Sequence, residues 1–338
     1  MADGTVRGRF VWHDLQTPNP AGAHDFYGNV LGWKKQAWDQ DPSYQMFAAP
    51  SGPLGGAVET RNATPQWLAY IGTKDVDEAI AAATALGGRV QTPATPLPNG
   101  GTYAVLVDPQ GATFGVHASS SGAPPEQAPQ IGEFSWHELA TNVAPNVAFG
   151  FYSSLFGWDE ITQYDMGPMG MYLIFGRNGT QLGGMFDKGS EGKPGSAYWL
   201  GYVSVDDVEG TIERAKAARG SLLTGPMDVP GGDRIAQLMD PHGAFFALHM
   251  RAGTARPATK ASPPPKASKP AKAVAPKKKA PAPKKPSSKT RPAKKAAAKK
   301  KPTTARKAAK KKAPAKKPTS RKTAKKAKGK AKTRKRGR

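Results

Sequence analysis

Cysteine is absent from this 338-residue chain, which excludes disulfides, thiolate metal sites and cysteine nucleophiles. No window approaches 18 apolar residues, so no membrane span is expected. The opening Met-Ala-Asp-Gly-Thr-Val-Arg-Gly lacks a secretory hydrophobic stretch, and a cytoplasmic protein is the expectation. The glycine pairs Gly55-Gly56 and Gly183-Gly184 are followed by neither a helix nor Lys-Ser/Thr, so a nucleotide-binding loop is not supported. They suit a bulge or a tight backbone approach instead. No Gly-x-Ser-x-Gly elbow occurs, and the order of residues identifies no nucleophile beside a base.

The sharpest absence is of one sign of charge. From Arg251 to Arg338 there is no Asp or Glu, whereas 36 of the chain's 50 Lys and Arg lie there. Residues 1–250 hold the other 14 basic residues and all 25 acidic ones. An acidic body therefore carries a polycation. Residues 251–338 also lack Phe, Trp, Tyr, Leu and Ile. Nothing there offsets roughly 1–2 kcal/mol of backbone entropy per ordered residue, and the segment is expected to be disordered in isolation.

Without aromatic rings this segment cannot stack on bases, and Lys greatly outnumbers Arg, so its contacts are expected to go to phosphates without sequence choice. The densest runs supply the candidate nucleic-acid-binding residues: Lys294, Lys295, Lys299, Lys300, Lys301, Lys310, Lys311, Lys312, Lys316, Lys317, Arg334, Lys335 and Arg336. The Ala-Lys-Pro composition resembles linker-histone tails and lysine-rich bacterial proteins of that kind. The resemblance implies DNA or RNA as partner and nucleoid association in a bacterium. Polyphosphate, an acidic membrane face or a clasp on the acidic body are the alternatives.

All 12 Phe, 7 Trp and 9 Tyr lie in the body, and the body repeats itself. Phe10-Val11-Trp12-His13-Asp14-Leu15 returns as Phe134-Ser135-Trp136-His137-Glu138-Leu139. Phe26-Tyr27 and Leu31-Gly32-Trp33 return as Phe151-Tyr152 and Phe156-Gly157-Trp158. Trp67-Leu68-Ala69-Tyr70 returns as Trp199-Leu200-Gly201-Tyr202, and Asp108-Pro109-Gln110-Gly111 as Asp240-Pro241-His242-Gly243. In each copy the pattern reads as two β-α-β-β-β units. The helix after Asp75 has that residue as its N-cap and Gly87-Gly88 as its stop. Asn99-Gly100-Gly101 and Pro230-Gly231-Gly232 suit hairpin turns. The expected division is a first domain at 8–118, a linker at 119–131, a second domain at 132–250 and the basic segment at 251–338.

Phe-Tyr followed by Leu-Gly-Trp after a first strand, with Asp-Pro-x-Gly before a last strand, resembles the vicinal oxygen chelate superfamily, which includes glyoxalases, bleomycin-resistance proteins and extradiol dioxygenases. The two-copy layout with Trp-His-Asp/Glu-Leu resembles tandem glyoxalase-like proteins of actinobacteria and proteobacteria. The resemblance implies an α+β fold of two tandem domains. In each, two βαβββ units form one cupped, mixed sheet around a ligand cavity.

The resemblance also implies where a metal would be held: His, Glu or Gln at four inward strand positions. The first falls on His13 and His137, which become the candidate metal ligands for Zn, Ni, Fe or Mn. The last falls on Gly115 and Ala247 and another on Ala69 and Gly201, none of which can ligate. Glu59 and Asp187, closing the strands that open with Gly-Gly, and His117 and His249, two residues beyond the empty last position, complete the candidate ligand-binding set. Trp12 and Trp136 alternate with the histidines and are expected to pack against the helices, while His24 and His242 are expected to be exposed. Two functions remain open. One is a small-molecule-binding protein tethered to nucleic acid. The other is a metal-dependent lyase, isomerase or dioxygenase acting on an oxygenated small molecule.

Overall fold

A computed structural model of the protein describes residues 6–254 except 62, 122–125 and 190–195. The expectations for the basic segment from 255 onward lie outside the described residues. The first half runs β1 (Phe10–Thr17), α1 (Pro20–Leu31), β2 (Lys34–Trp38), β3 (Asp41–Ala49), β4 (Gly52–Glu59), β5 (Gln66–Gly72), α2 (Val76–Ala85), β6 (Arg89–Pro96), β7 (Thr102–Val107) and β8 (Thr113–Ala118). The second half repeats it as β9 (Phe134–Thr141), α3 (Pro145–Phe156), β10 (Asp159–Asp165), β11 (Met171–Arg177), β12 (Thr180–Asp187), β13 (Tyr198–Ser204), α4 (Val208–Ala217), β14 (Ser221–Asp228), β15 (Arg234–Met239) and β16 (Phe245–Met250). Local chemistry sets the boundaries. The Asp75 carboxylate accepts from Glu78 N at 3.0 Å, and Pro20 and Pro145 start α1 and α3 where a missing N–H costs nothing.

Each half is one eight-stranded sheet, ordered β2-β3-β4-β1-β5-β8-β7-β6 and β10-β11-β12-β9-β13-β16-β15-β14. In the first, β1 runs parallel to β4 and antiparallel to β5, so the two βαβββ units join at the centre of the sheet. The glycine pairs make that junction possible. A Cβ on Gly55 would collide with the His13 carbonyl, and one on Gly183 with that of His137. A Cβ on Gly56 or Gly184 would strike the ring of Tyr44 or Tyr172 on the other face.

The cores do not follow the sequence division. Leu15, Tyr27, Trp33 and Phe47 of the first half pack with Val203, Ile212, Leu238 and Phe246 of the second. Ile71, Leu106 and Phe114 pack reciprocally with Leu139, Tyr152, Trp158 and Phe175. Each core is thus built from one unit of each half, under helices α1 with α4 and α2 with α3.

Polar latches cross the same boundary. Asp240 closes its own hairpin by accepting from His242 N (2.8 Å) and Ala244 N (2.9 Å). Its second oxygen accepts from Tyr27 Oη at 3.2 Å, and Tyr27 Oη in turn accepts from Trp67 Nε1 at 2.9 Å. Asp108, Tyr152 and Trp199 repeat this set in mirror order, with Tyr152 Oη donating to Asp108 at 2.9 Å. Trp33 Nε1 donates to Gly132 O and Trp158 Nε1 to Gly8 O, both at 2.7 Å. Because both cores are shared, residues 6–254 unfold in one thermal transition. Tyr27→Phe leaves the buried Asp240 oxygen and the Trp67 N–H unpaired and lowers stability by about 1–3 kcal/mol. Calorimetry of wild type and variant checks both statements, and two separate transitions would overturn the first.

Candidate functional site

Strand β1 alternates, and its two faces have different neighbours. Leu15 is fully buried in a helix-side core, and His13 shares that side. Trp12 and Asp14 lie on the opposite face of the sheet, the side on which the expected cup would open. Trp12 packs there with Val11, Leu68, Tyr70, Tyr103 and Val105. In β9, Trp136 packs with Leu200, Tyr202, Ile235 and Ala247 in the second cup. The tryptophans therefore face the cups rather than the helices, and the histidines face the other half of the protein. A one-residue difference in parity reverses every assignment along a strand. The β1–β5 register shift falls before Trp12, and from Trp12 to Thr17 half-buried and buried residues alternate without a break.

Each cup holds one carboxylate among hydroxyls. Asp14 accepts from Tyr44 Oη, from Tyr70 and from Trp12 Nε1 at 3.2 Å. Trp12 Nε1 also donates to Tyr44 Oη at 2.8 Å. In the second cup Tyr202 Oη donates to Glu138 Oε1 and Tyr172 Oη to Glu138 Oε2, both at 2.9 Å. Gln237 Nε2 lies 3.0 Å from Tyr202 Oη. Burial raises the pKa of both Asp14 and Glu138, and the tyrosine hydrogen bonds partly offset this. Burial and the adjacent carboxylate push the Tyr70 and Tyr172 hydroxyls up, so they remain donors. None of these cup residues stood among the candidates. Their signal was the acid at position 14 or 138, retained as Asp or Glu in both copies of the repeat.

The candidate residues scatter. His13 and His137 do come together, across the interdomain boundary and not in separate cups: Nε2 to Nε2 is 2.8 Å. Phe10 stacks on His137 with centroids 3.5 Å apart, and Phe134 on His13 at 3.8 Å. His13 Nδ1 lies 3.4 Å from Leu54 O. Burial holds His13 down to about 3 and His137 well below the usual imidazole value, so both rings are neutral at pH 7. Both line an interdomain cleft of ≈ 810 Å³. Glu59 and Asp187 share the face of Ala57 and Met185, away from the cups. Glu59 is exposed and paired with Arg61 at 2.8 Å, and Asp187 accepts from Gly189 N.

His117 and His249 have the cup-side parity of Gly115 and Ala247. The ring of Tyr70 occupies the space beside Gly115, and burial lowers the His117 pKa. His249 is held by Ser135 and Asp233. His24 is buried against Phe47, not exposed. Among the described residues no three His, Asp or Glu side chains converge as a metal-ligand set. The cup side of each half holds one acid and one histidine with tyrosine and glycine or alanine, which falls short of the three protein ligands of a catalytic zinc site and of the two-histidine, one-carboxylate iron site.

Residues 11–117 match the family model of a glyoxalase-like domain. Residues 144–248 match that of the glyoxalase/bleomycin resistance protein/dioxygenase superfamily. Both halves are domains of this glyoxalase-like superfamily. The chain is 29% identical over 252 residues to the putative glyoxylase CFP32 of Mycobacterium tuberculosis, covering 70% of this chain and 92% of that one. It is 28% identical over 258 residues to the anthracycline biosynthesis protein DauV of Streptomyces sp. strain C5, covering 70% and 91%. The fold is also that of the 2,3-dioxygenase LapB of Pseudomonas sp. KL28, at TM-score 0.53 and 15% identity over 77% of this chain and 97% of that one. A Mn(II)-bound glyoxalase of Novosphingobium aromaticivorans aligns at TM-score 0.51 and 17% identity, over 72% and 82%.

The buried imidazoles of this superfamily pair give stability a defined pH dependence. Between pH 6.5 and about 3 the unfolded chain binds more protons at His13 and His137 than the folded one. Stability present above pH 6.5 is therefore lost on acidification, by up to about 1.4 kcal/mol per pH unit for each ring. Asp14 and Glu138, with raised values, act oppositely, as the folded state takes up their protons first. The urea midpoint is expected to fall between pH 7 and 5, and less steeply in the His13→Gln/His137→Gln double variant. Equal slopes would contradict the assignment.

Proposed function

We propose that the body binds a small oxygenated aromatic molecule in its cups. We further propose that the basic segment fastens it to nucleic acid without sequence choice. The observation that carries the first part is the repeated acid at 14 and 138, which sits inside each cup under tyrosine hydroxyls rather than at the surface. With the hydroxyl protons turned onto the acid, such a cage presents the remaining lone pairs of the carboxylate and of the tyrosine oxygens as acceptors to a ligand's hydroxyl groups. Trp12 and Trp136 add flat apolar surface at the same place, which suits a planar partner. The names of two Streptomyces relatives, from anthracycline biosynthesis, support this ligand class.

The enzyme alternative needs a metal that the cup residues do not assemble, and no step is derived through one. With an aromatic ligand the cups act by hydrogen bonding and stacking alone. Titrating the full chain with an anthracycline is expected to quench tryptophan fluorescence. Removing the charge from the acceptor weakens a charge-assisted hydrogen bond, so Glu138→Gln and Asp14→Asn each reduce affinity at their own cup about tenfold. Undiminished binding in the double variant would remove the cups from the mechanism.

The second part rests on the 36 Lys and Arg of residues 251–338 with no acidic residue among them. If about ten engage phosphates, log affinity for duplex DNA falls with log salt at a slope near −9. Filter binding with two unrelated duplexes is expected to give equal affinities, and truncation after residue 250 to abolish retention. A truncated protein that retained DNA as well as the full chain would refute the tether.

A further inference from the structure

The second half contains a hydrogen-bonded set that neither cup chemistry nor the fold requires. Ser135 Oγ lies 2.9 Å from His249 Nδ1. His249 Nε2 lies 2.7 Å from Asp233 Oδ2. The other Asp233 oxygen accepts from Ala252 N at 2.7 Å, which fixes the carboxylate. The Asp233 carboxylate can only accept, so it selects the tautomer with hydrogen on Nε2. The Nδ1 lone pair then faces the serine hydroxyl. The hydroxyl's other acceptor, Tyr202 O, is more distant at 3.4 Å, so Oγ–H aims at the imidazole. His249 is 7% exposed, between a half-buried Ser135 and a half-buried Asp233.

These three residues come from separate elements: β9, β16 and the turn before β15. The first half builds the same sheet with Val11, His117 and Gly101 at the matching positions, so the fold does not need the set. Ser135 also lines the interdomain cleft of ≈ 810 Å³, with Phe10, Phe134 and Leu182 as apolar walls and the charges of Arg9 and Arg251 balanced by Glu126 and Glu133. A small uncharged ester suits that lining.

We infer that Ser135 is a nucleophile for small acyl esters, with His249 as its base and Asp233 as the positioning residue. The arrangement satisfies the geometric rule for such relays, in which a nucleophile bonds a base and the base bonds an orienting acid. Oγ bonds to the ester carbonyl carbon while its proton passes to Nδ1. The carbon–oxygen bond to the alcohol then breaks, and the alcohol leaves with that proton. Water, activated by the same nitrogen, releases the acid and restores Ser135.

Ser135 opens on the cleft while His249 lies on the cup side of β16, and neither Asp14 nor Glu138 belongs to the set, so labelling of Ser135 is read separately from ligand binding to those acids. The full-length protein is treated with a fluorophosphonate, which exchanges its P–F bond for a bond to an activated serine oxygen, and is mapped by peptide mass spectrometry. One adduct is expected, at Ser135, absent in Ser135→Ala. Labelling slows about 100-fold in His249→Gln. Asp233→Asn, a change at a partly exposed group, lowers the rate and alters its pH profile while leaving the thermal transition in place. Absence of an adduct on Ser135, adducts confined to the cup tyrosines, or wild-type labelling in a folded Asp233→Asn protein would each overturn the inference.

Discussion

The structure depends on a crossed exchange between its two halves. Tyr27 reaches the hairpin carboxylate Asp240, and Tyr152 reaches Asp108. All four residues are buried, so an unmet partner is costly. The same carboxylates close the turns that start β8 and β16. One residue type therefore shapes a strand pair and fastens it to the opposite half. The shared cores follow from this, because α1 covers strands of the second sheet as well as its own, and α3 those of the first.

The motifs that mark the superfamily read differently in this light. Phe-Tyr, Leu-Gly-Trp and Asp-Pro-x-Gly all serve the junction. Trp33 and Trp158 donate to backbone carbonyls of the opposite half. Within Trp-His-Asp/Glu-Leu the roles alternate with the pleat. Tryptophan and acid line the cup, while histidine and leucine face the boundary. Four consecutive residues thus supply both the polar cluster on one face of the sheet and the assembly of the two halves.

The halves share a backbone plan but not a chemistry. The first cup has Asp14 under Tyr44 and Tyr70, and the longer Glu138 in the second reaches Tyr172 and Tyr202 with Gln237 beside them. Only the second half adds Ser135 and Asp233 around its last-strand histidine. Duplication fixed the sheet and the junction, and side chains on the open faces diverged. This is the pattern expected when function resides in sites placed on a common fold.

The repeat, the order of elements and the two-unit composition of each half were legible in the chain itself. Asp75, the glycine stops and the Asn99-Gly100-Gly101 and Pro230-Gly231-Gly232 turns act through local backbone geometry that needs no distant partner. The break in charge at Arg251 was equally plain, since composition alone defines it. Which face of β1 looks into the cup was not legible. His13 and Leu15 are buried and Trp12 and Asp14 half-buried, yet each face carries one apolar or aromatic and one polar residue, so the residue types alone do not tell the faces apart. Only packing against the other half settles it, and with it the meeting of His13 with His137 and of Ser135 with His249, residues more than a hundred positions apart in the chain. Local order is written in short-range sterics and hydrogen bonding. The sites arise from long-range contacts that exist only once two sheets have docked.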